Sequence, residues 1–95
     1  MVAYVIAEVT VHNPERYADY TAVTPGTVEK YGGKFIVRGG NPQALEGDAP
    51  PQRVVVIEFA SADAAKAWYN SPDYSSVINI RQEASDGKLM LVEGA

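Results

Sequence analysis

The chain has 95 residues, of which 46% are hydrophobic and 21% charged, with a formal net charge of -4. This length and composition fit one globular domain whose modest core would gain from a partner subunit, and they exclude a disordered chain. The acidic balance and the lack of any Lys/Arg cluster argue against nucleic acid and anionic membrane surfaces as partners. Cysteine is absent, which excludes disulfides, thiolate metal sites and a cysteine nucleophile.

The first predicted element is a strand over residues 2–11, VAYVIAEVTV, because β-branched residues dominate it and its apolar residues alternate with Glu8 and Thr10. The same alternation and the lack of a basic leading region make a signal peptide or a membrane span unexpected. We therefore expect a cytoplasmic protein.

A helix should follow, because Asn13 is a good N-cap residue and Pro14 suits the first helical position. We expect Pro25-Gly26 to kink or divide this helix and Gly32-Gly33 to cap its end. Its apolar residues recur at roughly helical spacing: Tyr17, Tyr20, Val23, Val28 and Tyr31.

Two strands come next, Lys34 to Arg38 and Arg53 to Phe59, joined by the turn-rich segment GGNPQALEGDAPPQ. The predicted pairing is a long, wide hairpin. It places Arg38 and Arg53 at the same end of the sheet, where two guanidinium groups can hold an anion such as a carboxylate. Alternatively, these arginines form ion pairs with Glu46, Asp48 or Glu58.

The last third of the chain predicts two helices and a strand. Ser61 caps the first helix and Ser71-Pro72-Asp73 starts the second, which should stop at Asp86-Gly87 before a strand from Lys88 to Glu93. The order predicts an α+β fold: a single ferredoxin-like βαββαβ domain over residues 1–95, with a four-stranded antiparallel sheet. The residues expected to face the sheet are Ala64, Ala65, Trp68 and Tyr69, then Tyr74, Val77, Ile78 and Arg81.

Both faces of this sheet are apolar, although a sheet with helices on one side and water on the other should alternate. The strands offer aliphatic residues to either face, so we expect a homodimer that pairs through its sheet faces. A monomer with an apolar outer face is the alternative. The interface would include Val54, Val56, Leu89 or Leu91 if theirs is the face without helices.

Several side chains are candidates for chemistry. Arg81 shares the inward helical stripe, where it must pair with Glu8 or Glu58 or reach a ligand, because burying a charge alone is expensive. Glu8 and Glu58 could also act as bases, and His12, the sole histidine, lies at a predicted turn. Aromatic walls would come from Tyr17, Tyr20, Tyr69 and Tyr74, each of which could equally be ordinary core.

Several spaced motifs together carry a family resemblance: YGGKFIVRGG, LEG, RVVVIEF, AWYNSPDY, Arg81 and LVEG. They resemble the bacterial family known as domain of unknown function 1330, of the dimeric α+β-barrel superfamily. The resemblance implies ferredoxin-like protomers paired through their sheets, and no established general activity. The superfamily also includes cofactor-independent monooxygenases of aromatic polyketides, haem-degrading monooxygenases, muconolactone isomerases and chlorite dismutases.

The resulting hypothesis is a homodimer that binds a small anionic or aromatic metabolite between helices and sheet, as a cofactor-independent monooxygenase or isomerase. The alternative is a non-catalytic binding or accessory module. The ligand-binding candidates are Arg38, Arg53, Arg81, Tyr17, Tyr20, Tyr69, Tyr74 and Glu58. With no cysteine and no helical histidine, we expect no metal, haem or other cofactor.

Overall fold

The computed structural model describes residues 1–95 as one antiparallel sheet covered on one face by helices. The strand order is β2-β3-β1-β4, with β1 pairing antiparallel to both β3 and β4. The predicted ferredoxin-like α+β fold is therefore confirmed. In chain order the elements are β1 (Ala3–Val11), α1 (Pro14–Lys30), β2 (Lys34–Gly39), β3 (Arg53–Phe59), α2 (Ala62–Tyr69), α3 (Pro72–Ser75), α4 (Ile78–Ala84) and β4 (Ser85–Glu93).

The helix starts lie where the sequence predicted them, because each cap is a local interaction. The Asn13 side chain accepts the backbone N–H of Arg16 at 3.2 Å. Ser61 and Ser71 accept the N–H groups of the residues three positions further on, each at 3.1 Å. A side-chain acceptor of this kind satisfies one of the free donors in the first turn of a helix.

Pro25 does not divide α1, which is one helix of 17 residues. Threonine hydroxyls surround the proline: Thr24 donates to the carbonyl of Tyr20 at 2.7 Å, and Thr27 donates to that of Thr24 at 2.8 Å. These bonds reach the carbonyls of Tyr20 and Thr24, not that of Thr21, which loses its usual donor at Pro25. The helix nevertheless continues through Pro25, so the expected division does not occur.

The end of the chain also differs from the prediction. The second predicted helix is split into α3 and α4, and β4 begins at Ser85 rather than Lys88. Asp86-Gly87 lies inside that strand. A Cβ at Gly87 would lie 2.5 Å from the carbonyl oxygen of Glu8, so this glycine permits close approach of β4 to β1 rather than a stop.

The core lies between the sheet and the helices. Trp68 and Tyr74 are its largest fully buried side chains, and Leu89 and Leu91 pack against it. The condition for an interface role of these leucines is therefore not met, because the register of β4 on β1 places Met90 and Val92 on the face without helices instead. No helix is both long and apolar enough to cross a membrane.

Candidate functional site

A small cavity lies under α1, and we call it the inner cavity. Its volume is about 70 Å³. Five of the predicted site residues line it, so the fold brings together side chains from α1, β2, β3 and α4 that are far apart in sequence. They are Tyr17, Tyr20, Arg38, Arg53 and Arg81. The remaining lining is mostly apolar, from Val5, Ala7, Val9, Phe35, Val55, Ile57, Trp68 and Leu89.

Arg38 and Arg53 lie at the same end of the sheet, as the hairpin requires. Arg38 stands opposite Val55 in the β2–β3 pairing, and its guanidinium carbon lies 4.2 Å from the centre of the Phe35 ring. The guanidinium carbon of Arg53 lies 5.9 Å from the centre of the Tyr17 ring. Neither arginine takes part in the salt bridges of the chain, so aromatic faces rather than acids hold both.

The glycines that end β2 explain how this end of the sheet is built. Gly39 and Gly40 have positive φ angles of 89° and 63°, a conformation that residues with a Cβ rarely adopt. A Cβ at Gly39 would also lie 3.1 Å from Nη1 of Arg53. The pair therefore turns the chain and leaves room for the Arg53 guanidinium against the backbone.

Arg81 is the most unusual residue of the site. It is 7% exposed, and its Nε donor has no hydrogen-bond partner; the same holds for the buried Nε of Arg53. The predicted partners are elsewhere: Glu8 lies 3.6 Å from Lys88, and Glu58 stands opposite Lys34 and Tyr4 on the other face of the sheet. A buried N–H donor without an acceptor is unfavourable, so Arg81 is suited to receive one from a ligand.

Two tyrosines are joined behind the inner cavity. The hydroxyl groups of Tyr20 and Tyr74 lie 2.7 Å apart, and Tyr74 has no exposed surface. Tyr74 therefore supports Tyr20 instead of lining the cavity. Burial, reinforced by the neighbouring Tyr74, raises the pKa of Tyr20 far above its ordinary value. The Tyr20 phenol consequently stays protonated and can donate a hydrogen bond, but it is a poor base.

A larger opening, which we call the outer cleft, lies on the other side of Arg81 between α2, α4 and β4. Its volume is about 570 Å³, and it shares Val5, Arg81 and Leu89 with the inner cavity. Tyr69, which is 40% exposed, lines this cleft rather than the inner cavity. The sequence did not predict Lys66, Asn70, Gln82 and Ser85 as site residues, since only the packing of α2 beside β4 makes them neighbours.

The candidate bases do not reach either opening through their side chains. Glu8 and Glu58 share the face of the sheet away from the helices, and His12 is exposed in the turn between β1 and α1. Glu58 is thus separated by the sheet from the arginines with which it was grouped. The inner cavity therefore combines three cationic groups and two phenols with no carboxylate or imidazole.

Comparison with known proteins agrees with this fold. The chain is a ferredoxin-like α+β protein, and a model of the family described as Domain of unknown function (DUF1330) matches residues 2–95. The chain therefore belongs to this family. No curated protein matches it.

Three solved structures illustrate the likeness. A protein of unknown function from Rhodopseudomonas palustris is 22% identical, with a TM-score of 0.80 over 99% of this chain and 82% of that one. A dimeric ferredoxin-like protein of unknown function from Jannaschia is 12% identical, with a TM-score of 0.80 over 99% and 100%. SnoaB, a cofactor-independent oxygenase from Streptomyces nogalater, is 19% identical, with a TM-score of 0.68 over 99% and 92%.

Proposed function

We propose that this protein binds a small organic anion with an aromatic or other flat apolar body on the helix side of its sheet. Arg81 binds the anionic group, Arg53 and Arg38 add positive potential from the outer end of β2 and β3, and Tyr20 donates a hydrogen bond. The observation that carries the proposal is the buried guanidinium of Arg81, whose Nε has no acceptor within the chain.

A ligand can supply the acceptor that the buried Nε of Arg81 lacks within the chain. A guanidinium that is already desolvated gains more from a carboxylate or enolate than one in water, because the charge-assisted hydrogen bonds form where water does not compete. Apolar walls with a few converging polar groups are the usual lining of small-molecule sites. The 7% exposure of Arg81 supports the proposal, because little of its side chain is in contact with water.

Replacing Arg81 by methionine tests the proposal, because methionine keeps much of the side-chain volume and removes the charge. We expect Arg81→Met to abolish calorimetric binding of hydroxynaphthoate, the probe anion. Its free energy of unfolding should stay the same or rise by about 1–4 kcal/mol, since an uncompensated buried charge is lost. Arg16→Met is the control, because Arg16 lies on the surface with Asp19 and Glu83 and should not affect binding. Loss of stability in Arg81→Met, with no aromatic anion binding to the wild type, would contradict the proposal.

A second candidate function is cofactor-independent oxygenation or isomerisation of the bound anion, favoured by the likeness to SnoaB. The inner cavity offers no carboxylate or imidazole base, and the one acidic residue that lines the outer cleft, Asp86, lies opposite Thr10 on the face of the sheet away from the helices. The substrate must therefore ionise by itself, and nearby arginines lower the pKa of a bound enol or phenol. Oxygen uptake with hydroxynaphthoate in an oxygen electrode tests oxygenation. Binding without uptake or isomerised product favours the non-catalytic module.

The assembly belongs to the same proposal: two copies pair through the face of the sheet away from the helices, which we call the helix-free face. This face carries mostly apolar residues, and a long apolar sheet face left in water is unfavourable. The similar Jannaschia protein is described as dimeric. The apolar residues of this face are Tyr4, Ile6, Val54, Val56, Met90 and Val92.

A further inference from the structure

The two openings beside Arg81 differ greatly in size. The inner cavity measures about 70 Å³, whereas apolar cavities that hold a benzene molecule are about 150 Å³. The outer cleft, at about 570 Å³, lies within the usual range of small-molecule sites, roughly 300–1,000 Å³. An aromatic ring therefore fits the cleft and not the cavity, although the cavity holds most of the predicted site residues.

We infer that the body of the ligand lies in the outer cleft, between α2 and β4, with its anionic group on Arg81. Only a small substituent, such as a hydroxyl or keto oxygen, would reach past Arg81 into the inner cavity, where Tyr20 can donate a hydrogen bond to it. This inference rests on the proposed function and adds the place, size and chemical class of the ligand. Arg81 is the one charged residue common to both openings, so it can hold the anionic group at their junction.

The wall formed by β4 adds a requirement for polar groups on the ligand. Seven consecutive residues, from Ser85 to Leu91, line the cleft. Because side chains alternate between the two faces of a strand, such a continuous run must include the backbone edge itself. β4 is an edge strand that pairs only with β1, so part of its N–H and C=O groups remain free. Ring hydroxyl or keto groups would bind there.

The charge inside the cleft also favours an anion. Lys66 joins Arg81 in the lining, whereas the acidic residue of the lining, Asp86, stands opposite Thr10 in the register of β4 on β1. Thr10 belongs to the helix-free face, so the Asp86 carboxylate points away from the cleft. Two positive side chains thus face the cleft in a chain whose net charge is -4. The ligand class is a hydroxylated or keto-substituted aromatic carboxylate.

Hydroxynaphthoate, benzoate and acetate are suitable probes because they share a carboxylate and differ in size. We expect hydroxynaphthoate to bind most tightly and to shift the backbone amide resonances of Lys66, Asn70 and Gln82 in an NMR titration. Lys66→Glu should weaken its binding about fivefold, as expected for reversal of one exposed charge. Lys34→Glu is the matched control: Lys34 is equally an exposed lysine, but it lies on β2 away from the cleft, and its replacement should leave the affinity unchanged.

The outcomes separate this inference from the proposed function. If hydroxynaphthoate binds in an Arg81-dependent manner but shifts only Thr21 and Thr24 of α1, which line the inner cavity, the ligand is not in the cleft and the inference alone fails. The inference alone also fails if acetate binds more tightly than hydroxynaphthoate and benzoate, or if Lys66→Glu and Lys34→Glu change the affinity equally. If no probe anion binds, both the inference and the proposed function are overturned.

Discussion

Tyr74 is fully buried, and its hydroxyl nevertheless has a single partner, that of Tyr20 at 2.7 Å. A buried hydroxyl without a partner is unfavourable, so each phenol fixes the other. Either hydroxyl can be the donor of this bond. When Tyr74 donates, the Tyr20 proton can point toward the inner cavity, which is the arrangement that a ligand acceptor beside Arg81 would select.

The raised pKa of Tyr20 predicts a stability change at alkaline pH. The folded-state pKa of Tyr20 lies above the ordinary 10.0, so the phenol ionises more easily in the unfolded chain. Its contribution to the free energy of unfolding is fully present below pH 10 and falls progressively as the pH rises above 10 toward the folded-state pKa. Wild type should lose up to about 1.4 kcal/mol per pH unit more than Tyr20→Phe above about pH 10. Urea midpoints measured across this range test it. The control is Tyr69→Phe, at an exposed tyrosine, in which the free energy of unfolding should fall with pH as steeply as in the wild type. If it also falls as steeply in Tyr20→Phe, the effect is refuted.

The sequence predicted part of the candidate site. The hairpin placed Arg38 and Arg53 together, and helical spacing placed Arg81 inward; both depend on local periodicity. The sequence could not tell which tyrosines line the cavity and which belong to the core, because helical spacing indicates the direction of a ring but not its depth. Strand alternation already placed Glu58 on the face opposite that of Val55 and Ile57. Grouping Glu58 with the arginines was therefore inconsistent with that alternation, because the sheet lies between them.

Among the elements, α1 most directly shapes the inner cavity, since it supplies Tyr17, Tyr20, Thr21, Thr24 and Pro25 to the lining. Two glycines illustrate how this helix is placed. Gly26 lies inside α1 with no atom within 4 Å of a notional Cβ. Gly33 follows the helix, and its notional Cβ would lie 2.7 Å from both Phe59 and Val28. The first glycine is dispensable for packing, whereas the second lets β2 approach the core.

Alanine substitutions at these two glycines should therefore have opposite effects. Gly26→Ala should raise the free energy of unfolding by about 0.5–1 kcal/mol, because alanine favours the helix and restricts the unfolded chain. Gly33→Ala should lower it by roughly 1–3 kcal/mol, because the added methyl group overpacks the core at Phe59. Chemical denaturation monitored by circular dichroism measures both. A Gly33→Ala variant at least as stable as the wild type would contradict the packing argument.

The elements themselves were largely predictable because their signals are local. Asn13, Ser61 and Ser71 mark helix starts by their own side chains, and β-branched runs mark the strands. The predictions that were wrong concern residues whose role depends on tertiary contacts. Helix α1 continues through Pro25, which the local signal did not predict, and Gly87 lies inside β4, where it faces the backbone of β1. The outer cleft was missed for the same reason, since its two walls come from α2 and the distant strand β4.

For the whole molecule, the two faces of the sheet serve different purposes. One packs against the helices and forms the core and both openings, while the helix-free face has no covering within the chain. Met90 and Val92, on the helix-free face, are 43% and 41% exposed. A polar pair, Glu8 and Lys88, lies among these apolar side chains at 3.6 Å and can fix how two copies align.

A single charge on the helix-free face should therefore separate the proposed dimer. We expect the wild type to sediment at about twice 10.2 kDa and Met90→Lys to sediment as a monomer, because the interface would bury a new charge opposite its own copy. Val23→Lys is the matched control, since Val23 is 45% exposed but lies on α1. It should remain dimeric, and both variants should keep the circular dichroism of the wild type. A monomeric wild type would contradict the proposed dimer, whereas a dimer that Val23→Lys disrupts and Met90→Lys does not would place its contact surface on the helices rather than the sheet.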